Sequence, residues 1–504
     1  MKCIRLTAPT LRQLPETKAG GNEKFLPEHS MTHTVEKIGG TCMSRSRELL
    51  DTLYIGKRKP KDCYDRIFVV SAFGGITNML LEHKKTGKPG VYAQFASDDS
   101  GAGWQEALNG TARAMCEIHG EILDHAADRE RADAFVRDRI EGTRACLLDL
   151  QRLGSYGHFR IDQQMHTLRE LLSGMGEAHS AFVTALLLGR HGINARFVDL
   201  SGWRDEANPS LSERLEQALA GIDLKTELPI VTGYAHCAEG LMREYDRGYS
   251  EVVFAHLAAQ TGAREAIIHK EFHLSSADPK IVGLESTVKI GRTSYDVADQ
   301  LSNMGMEAIH PNAARVLRRA DVPLRVKHAF EPEDAGTLIG PDGGTPGRVE
   351  MVTGLAVHAF SVHEPDMVGV KGYDRCILEA LTRHNLWIVS KHSNANTITH
   401  YLSGSLKAIR RAEQEVLRTY PSAEITAQAL AMVSVIGSDL SDLSVLARGL
   451  SALEAGGVRA LAAQQGLRRV DVQFLVPRDK METAIKLLHA ALVEDEEQPV
   501  QRAA

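Results

Sequence analysis

Residues 35–43 read V-E-K-I-G-G-T-C-M, a stretch holding the residue types that seat a phosphate group. Gly39 and Gly40 let backbone amides close on an anion. The residues that follow look helical, and a helix N-terminus would add the unpaired N–H groups of its first turn. Lys37 supplies a point charge able to neutralise a phosphoryl group in transit. Alone, the string reads equally well as a glycine turn entering a helix.

Four further stretches bear on the choice. Residues 71–78, S-A-F-G-G-I-T-N, make a second glycine loop, with amides at Gly74 and Gly75 and hydroxyls at Ser71 and Thr77. The same loop could be a strand-to-helix turn capped by Thr77. Glu177, in G-E-A-H-S, is predicted at a helix start, where a carboxylate either complements the dipole or meets a substrate ammonium group. Arg247, in D-R-G-Y-S-E with Ser250, suits a carboxylate held through two hydrogen bonds, although a surface arginine has the same signature. Together Glu177 and Arg247 could grip an α-amino acid by both charged ends, leaving an acidic side chain to point at the phosphate seat. Residues 267–281, I-I-H-K-E-F-H-L-S-S-A-D-P-K-I, read as a strand ending in a polar turn that is either a nucleotide loop or a plain one. His269, Lys270, Ser275, Asp278 and Lys280 are its polar candidates. His269 and His273 do not suggest a metal site, and no metal held by protein ligands is expected.

An α/β framework must place these residues. Residues 34–38 predict a strand, 43–55 a helix, and the apolar run at 66–73 a buried parallel strand. Residues 82–165 predict several helices forming a lid-like layer, with a polar loop at 87–103. Residues 168–189 predict a helix broken at 173–176, with Glu177 opening its second half. Strands are predicted at 194–199, 228–232 and 266–269, and a last one at 322–327. Gly233 and Tyr234 follow the strand at 228–232, where open α/β sheets place ligand loops. Residues 340–347, G-P-D-G-G-T-P-G, read as a linker. Beyond it the order strand, helix, strand, strand, helix occurs twice, as in ferredoxin-like modules. The expected layout is a loose extension at 1–30, an α/β domain at 31–340, modules at 348–427 and 428–493, and a disordered tail at 494–504.

The totals narrow the classes. A chain of 504 residues exceeds a single core. A net charge of −6 and a pI near 6.4 argue against a general nucleic-acid binder. Seven scattered cysteines without a C-x-x-C pair give no disulfide or zinc framework, which fits a reducing, cytoplasmic compartment. No apolar run approaches the ~18 residues of a membrane span, so no membrane partner is expected.

Taken as an ordered set, these segments resemble the aspartate kinases of the amino-acid kinase family. K-I-G-G-T-C resembles their K-F-G-G-T-S signature, and S-A-F-G-G-I-T-N their second glycine loop. G-E-A-H-S resembles their G-E substrate stretch, D-R-G-Y-S-E their G-R-G-G-S-D segment, and S-S-A-D-P-K their Y-T-A-D-P-R turn. Residues 306–311, M-E-A-I-H-P, match A-K-V-L-H-P, and the C-terminal pair resembles ACT regulatory modules. The departures are Cys42 for serine, Tyr249 for glycine, Glu251 for aspartate, His269 and Lys270 for threonine and aspartate, and Glu307 for a phosphate-contacting lysine. With these departures the chain resembles the divergent aspartate kinases encoded with ectoine synthesis genes.

The resemblance implies an αβα sandwich with a mostly parallel sheet and two ACT-like modules. It implies transfer of the γ-phosphoryl group of ATP, with Mg²⁺, to the β-carboxylate of L-aspartate. Lys37, Gly39, Gly40, Thr41, Gly74, Gly75, His269, Lys270, Ser275, Asp278, Lys280 and Glu307 would then serve the phosphates and nucleotide. Ser71, Thr77, Glu177, Tyr234, Arg247 and Ser250 would serve aspartate. A homodimer with an amino-acid effector at the ACT-like modules is implied as well. The alternatives are a kinase for another amino acid, such as glutamate, and a catalytically weak amino-acid sensor.

Overall fold

The computed structural model describes residues 32–83, 86–97, 102–245, 248–306, 309–341, 343–441 and 444–494. The expected extension at 1–30, the tail beyond 494, Arg247 and Glu307 lie outside the described residues.

Eight strands form the first sheet: β1 (Thr34–Ile38), β2 (Arg66–Val70), β3 (Ala195–Val198), β4 (Leu228–Thr232), β5 (Glu265–Lys270), β6 (Arg292–Ser294), β7 (Leu324–His328) and β8 (Thr337–Gly340). Their order is β3-β4-β2-β1-β5-β7-β8-β6. Every pairing is parallel except β7 with β8. β1 and β2 are buried along their whole length, as central strands covered on both faces must be. The edge strand β6 and its neighbour β8 were not expected. At three and four residues they are too short for an apolar pattern to register. β8 also carries the sheet to Gly340, where the linker was expected to start.

The helix expected at 43–55 is broken into Gly40–Met43, Ser46–Leu49 and a wider turn at Leu50–Tyr54. The break falls at Ser44 and Arg45, where Ser44 Oγ turns away to accept the Gly74 amide at 2.8 Å. The opposite correction applies at 173–176. Asp162–Arg190 is one continuous helix, and Glu177 sits in its interior rather than at a helix start. Its glycines serve close packing instead of chain reversal. A Cβ on Gly174 would lie 2.8 Å from the Tyr234 ring, and one on Gly176 3.0 Å from Ala72 Cβ. Within this helix Gln164–Arg190 is long and apolar enough to cross a bilayer, but 83% of its apolar stretch is buried in the protein. The expected helical layer is present as Val91–Ser97, Ala102–Ile122 and Ala126–Ser155.

The second sheet is antiparallel and six-stranded: β9 (Val349–His363), β10 (Trp387–Ser393), β11 (Thr397–Ser403), β12 (Glu424–Gly437), β13 (Ala462–Gln465) and β14 (Asp471–Pro477). Its order is β10-β11-β9-β12-β14-β13. The two long strands β9 and β12 pair from end to end, from Glu424↔His363 to Gly437↔Val349. β11 takes only the second half of β9, and β14 only the second half of β12. Each repeat is therefore completed by the first half of the other's long strand. The cores show the exchange: Val349 and Val352 pack with Val433, Phe474 and Leu488 of the second repeat. Ile425 and Ala427, from the first half of β12, pack against the cluster of Phe360, Ile377, Leu402 and Ile409 of the first.

Gly174→Ala and Gly189→Ala are expected to move stability in opposite directions. Open space surrounds Gly189, so alanine there gains about 0.5–1 kcal/mol of helix propensity. At Gly174 overpacking against Tyr234 costs about 1–3 kcal/mol. Urea midpoints of the two variants check this, and a gain at both sites would contradict the packing role.

Candidate active site

The C-terminal ends of the parallel strands open onto a cleft of about 440 Å³. Lys37, Gly40, Thr41, Ser71, Gly74, Gly75, Thr77, Glu177 and Ser250 all line it, bringing residues from four separate stretches to one place. Gly39 stands beside it as the extended residue before the first helical turn, 3.9 Å from Lys37 Nζ if it carried a Cβ.

The glycines are set by close approach. A Cβ on Gly40 would meet the Ala72 carbonyl oxygen at 2.8 Å, and one on Gly74 would meet Ser44 Oγ at 2.6 Å. Gly75 has φ +89°, a left-handed conformation open to glycine. Ser44 ties the two loops together, since its hydroxyl accepts from Gly74 N and donates to Gly40 O at 3.4 Å. The sequence reading did not single out Ser44. Its only signal is a hydroxyl one helical turn after Gly40.

Glu251 was noted as a departure but not as a site residue. Here it is the centre of the charge arrangement. Lys37 Nζ lies 3.5 Å and Lys270 Nζ 3.6 Å from Glu251 Oε1. Glu251 Oε2 accepts the His310 amide at 2.5 Å. Burial pushes this carboxyl up, but Lys37, Lys270 and the His310 amide outweigh it and hold the group below its ordinary value. Gly248 enters Glu251's helix, Tyr249–Thr261, at φ +82°, with no room for a Cβ against the His310 ring.

Glu177 is the opposite case. It is fully buried, its Oε2 has no hydrogen-bond partner among the described residues, and burial raises its carboxyl well above the usual range against a weaker pull from Lys37. Lys37 and Lys270 thus face one carboxyl that they hold in its ionised form and, in Glu177, one whose ionised form burial disfavours. An unpartnered buried carboxyl in a polar cleft marks the place of an incoming cation. Ser71 and Ser250 stand across from each other, with Oγ atoms 3.4 Å apart.

Other expected residues lie elsewhere. His269 does not face the cleft. Successive strand residues point to opposite faces, so Lys37 and Lys270 share one face while Glu36 and His269 share the other. There His269 Nε2 meets Glu36 Oε2 at 2.7 Å, and Arg66 holds Glu36 through two bonds of 2.6 and 2.9 Å. Tyr234 is buried behind Gly174, with its hydroxyl donated to Glu170. Ser275, Asp278 and Lys280 lie on the segment after β5. Ser275 Oγ donates to Ala277 O, and Asp278 caps the turn Pro279–Val282 through Lys280 N at 2.9 Å. Cys42 is buried beneath the first glycine loop, its thiol pushed up to about 12 by burial and by Glu271.

Comparison with known proteins places this geometry. The model of the amino acid kinase family matches residues 33–328. The chain is 50% identical to the aspartate kinase Ask_Ect of Stutzerimonas stutzeri (strain A1501) over 466 residues, 92% of this chain and 98% of that protein. Its fold is similar to E. coli aspartokinase III crystallised with aspartate and ADP in the R-state, with a TM-score of 0.67 at 19% identity over 91% of this chain and 99% of that one. It is similarly close to the same enzyme with lysine and aspartate in the T-state, with a TM-score of 0.66 at 20% identity over 92% and 100% of the two chains.

Glu177→Gln is expected to change the pH dependence of stability. Folding raises this carboxyl above its unfolded value, so the folded chain binds more protons between the two. The contribution of Glu177 is full below the unfolded value and is lost as pH rises through the folded one. The glutamine variant removes that loss. Thermal melts without amino acid should show it gaining about 2–4 °C at pH 8, the size of a ~1 kcal/mol change, with the gap closing toward pH 5. A gap independent of pH would contradict a protonated Glu177.

Proposed function

The chain belongs to the amino acid kinase family and is an aspartate kinase, and on that premise we propose how its cleft moves a phosphoryl group from ATP to the β-carboxylate of L-aspartate. One observation carries the proposal. Glu177, buried and with its Oε2 unpartnered among the described residues, shares a cleft with Lys37 and both glycine loops. A cationic substrate group and an anionic transferring group thus have separate seats a few side chains apart.

The β-carboxylate of aspartate is ionised near neutral pH, so it attacks without a general base. A carboxylate oxygen forms the new bond to the γ-phosphorus as the bond to the bridging oxygen breaks, and ADP leaves with that electron pair. Catalysis is then positioning plus charge stabilisation. Lys37 neutralises the phosphoryl oxygens in transit, and the amides of Gly39, Gly40 and Gly75 surround them, the Gly74 amide being held by Ser44. Lys270 adds its charge from the neighbouring strand, and Glu251 holds both lysines at the floor. Glu177 gives up its proton to receive the substrate ammonium, and Ser71, Thr77 and Ser250 supply hydrogen bonds. Arg247 takes the α-carboxylate, as the family resemblance implies. The nucleotide lies toward Ser275, Asp278 and Lys280, and Mg²⁺ bound with it would neutralise phosphate charge.

The proposal extends to the whole chain. Residues 31–340 form the catalytic unit, and 348–427 and 428–493 the two ACT-like modules, which pair across a homodimer and take an amino-acid effector. The enzyme is cytoplasmic, and its 4-phospho-L-aspartate feeds ectoine or another aspartate-family product. Likeness to Ask_Ect supports the ectoine branch.

Lys37→Ala tests the core of this reading. ADP release with L-aspartate should fall by at least about 10²–10³-fold, while circular dichroism stays that of the parent. L-glutamate should give no comparable release with the parent enzyme. Near-parental kcat in the variant, or faster turnover of glutamate, would overturn it.

A further inference from the structure

Away from the cleft, three metal-binding side chains converge between two helices. Cys116 and His119 sit three residues apart in Ala102–Ile122, on one face of that helix. Asp133 reaches them from Ala126–Ser155, which packs alongside after a short link. Cys116 Sγ, His119 Nδ1 and an Asp133 carboxylate oxygen lie within 4.8 Å of one another. His119 is buried, Asp133 is 40% exposed and Cys116 is exposed, so the group opens to solvent on one side. The far nitrogen of the histidine is anchored as well. His119 Nε2 meets Nε2 of the fully buried His179 at 2.8 Å, which fixes the ring and aims Nδ1 at Asp133. Metal-ligating histidines are commonly oriented in this way by a partner on the second nitrogen.

We propose that Cys116, His119 and Asp133 form a binding site for one Zn²⁺-class ion. A thiolate, an imidazole and a carboxylate suit a borderline-soft divalent cation, with water as the fourth ligand. A proton on His119 Nδ1 now bridges to Asp133 Oδ1 at 2.6 Å. The ion takes that proton's place, with Asp133 backing off by roughly half an ångström to give normal zinc bond lengths. The displaced histidine proton is conserved: His119 carries it on Nε2, donating to His179 Nε2, and His179 shifts its own to Nδ1. Cys116 gives up its thiol proton to solvent, so binding releases one proton. One thiolate and one carboxylate cancel the charge of the ion. The second convergence of this kind, His273, His328 and Glu331, is less suited. Lys289 Nζ already lies 3.4 Å from Glu331 and 2.9 Å from Asp334 beside it.

Cobalt titration of the full-length protein tests the site. One Co²⁺ per chain should bind with a thiolate-to-cobalt charge-transfer absorption that Zn²⁺ displaces. Cys116→Ser, at an exposed position, should abolish the absorption. Asp133→Asn should weaken binding by at least about tenfold, since partners beyond the ligands alone are worth about 10–100-fold. Zn²⁺ should shield Cys116 from a thiol reagent and leave the exposed Cys146 reactive. No cobalt binding, a spectrum without thiolate absorption, or an absorption surviving in Cys116→Ser would overturn the proposal.

Discussion

Two lysine side chains from neighbouring strands converge on one buried carboxylate oxygen, and much of the catalytic half of the molecule can be understood from that arrangement. Lys37 and Lys270 reach Glu251 Oε1 from β1 and β5, with the His310 amide on the other oxygen. Such a cluster contributes little net stability, because desolvating its charges offsets their attraction. Its value lies in geometry. Removing Glu251 would leave two cations close together in a buried floor, a loss of about 3–5 kcal/mol by analogy with other broken buried pairs. While it stands, it holds positive charge at the strand ends where the glycine loops gather. The helix carrying Glu251 can approach only because Gly248 gives way to His310. The loops can meet only because Gly40 and Gly74 lack side chains and Ser44 bridges them.

Much of this was legible in the residues. The two glycine loops, Lys37, Glu177 and Ser250 were recognisable by type and local pattern, and they meet in one cleft. The misplacements have physical causes. His269 and Lys270 are adjacent on a strand, so only one can face the cleft, and the period of two decides for Lys270. Gly174 and Gly176 suggested a helix break, because a glycine signals both flexibility and close approach. Which of the two applies depends on Tyr234 and Ala72, more than fifty residues away in the chain. Ser44 and Glu251 act through tertiary partners that leave no local pattern. The short strands β6 and β8, three and four residues long, give too few alternations for a pattern to register.

The two C-terminal repeats were also legible as a rhythm, but their exchange of strand halves was not. A sequence repeat suggests two closed modules, whereas β9 and β12 are long enough to serve both. This shared sheet touches the catalytic half through the segment after β5. Ser276 O accepts the Val352 amide at 2.8 Å, and Ser276 Oγ meets His489 Nε2 at 2.8 Å. The segment that follows the Lys270 strand is therefore fastened to the second repeat.

The central claim is that the cleft holds one ionised and one protonated carboxyl, and that the protonated one, Glu177, receives the substrate's ammonium group. Proton release on aspartate binding addresses it directly, measured by calorimetry near neutral pH in buffers of different ionisation enthalpy. The account predicts release of about one proton per aspartate bound by the parent enzyme and none by Glu177→Gln. Binding without proton release, or release unchanged in the variant, would contradict it.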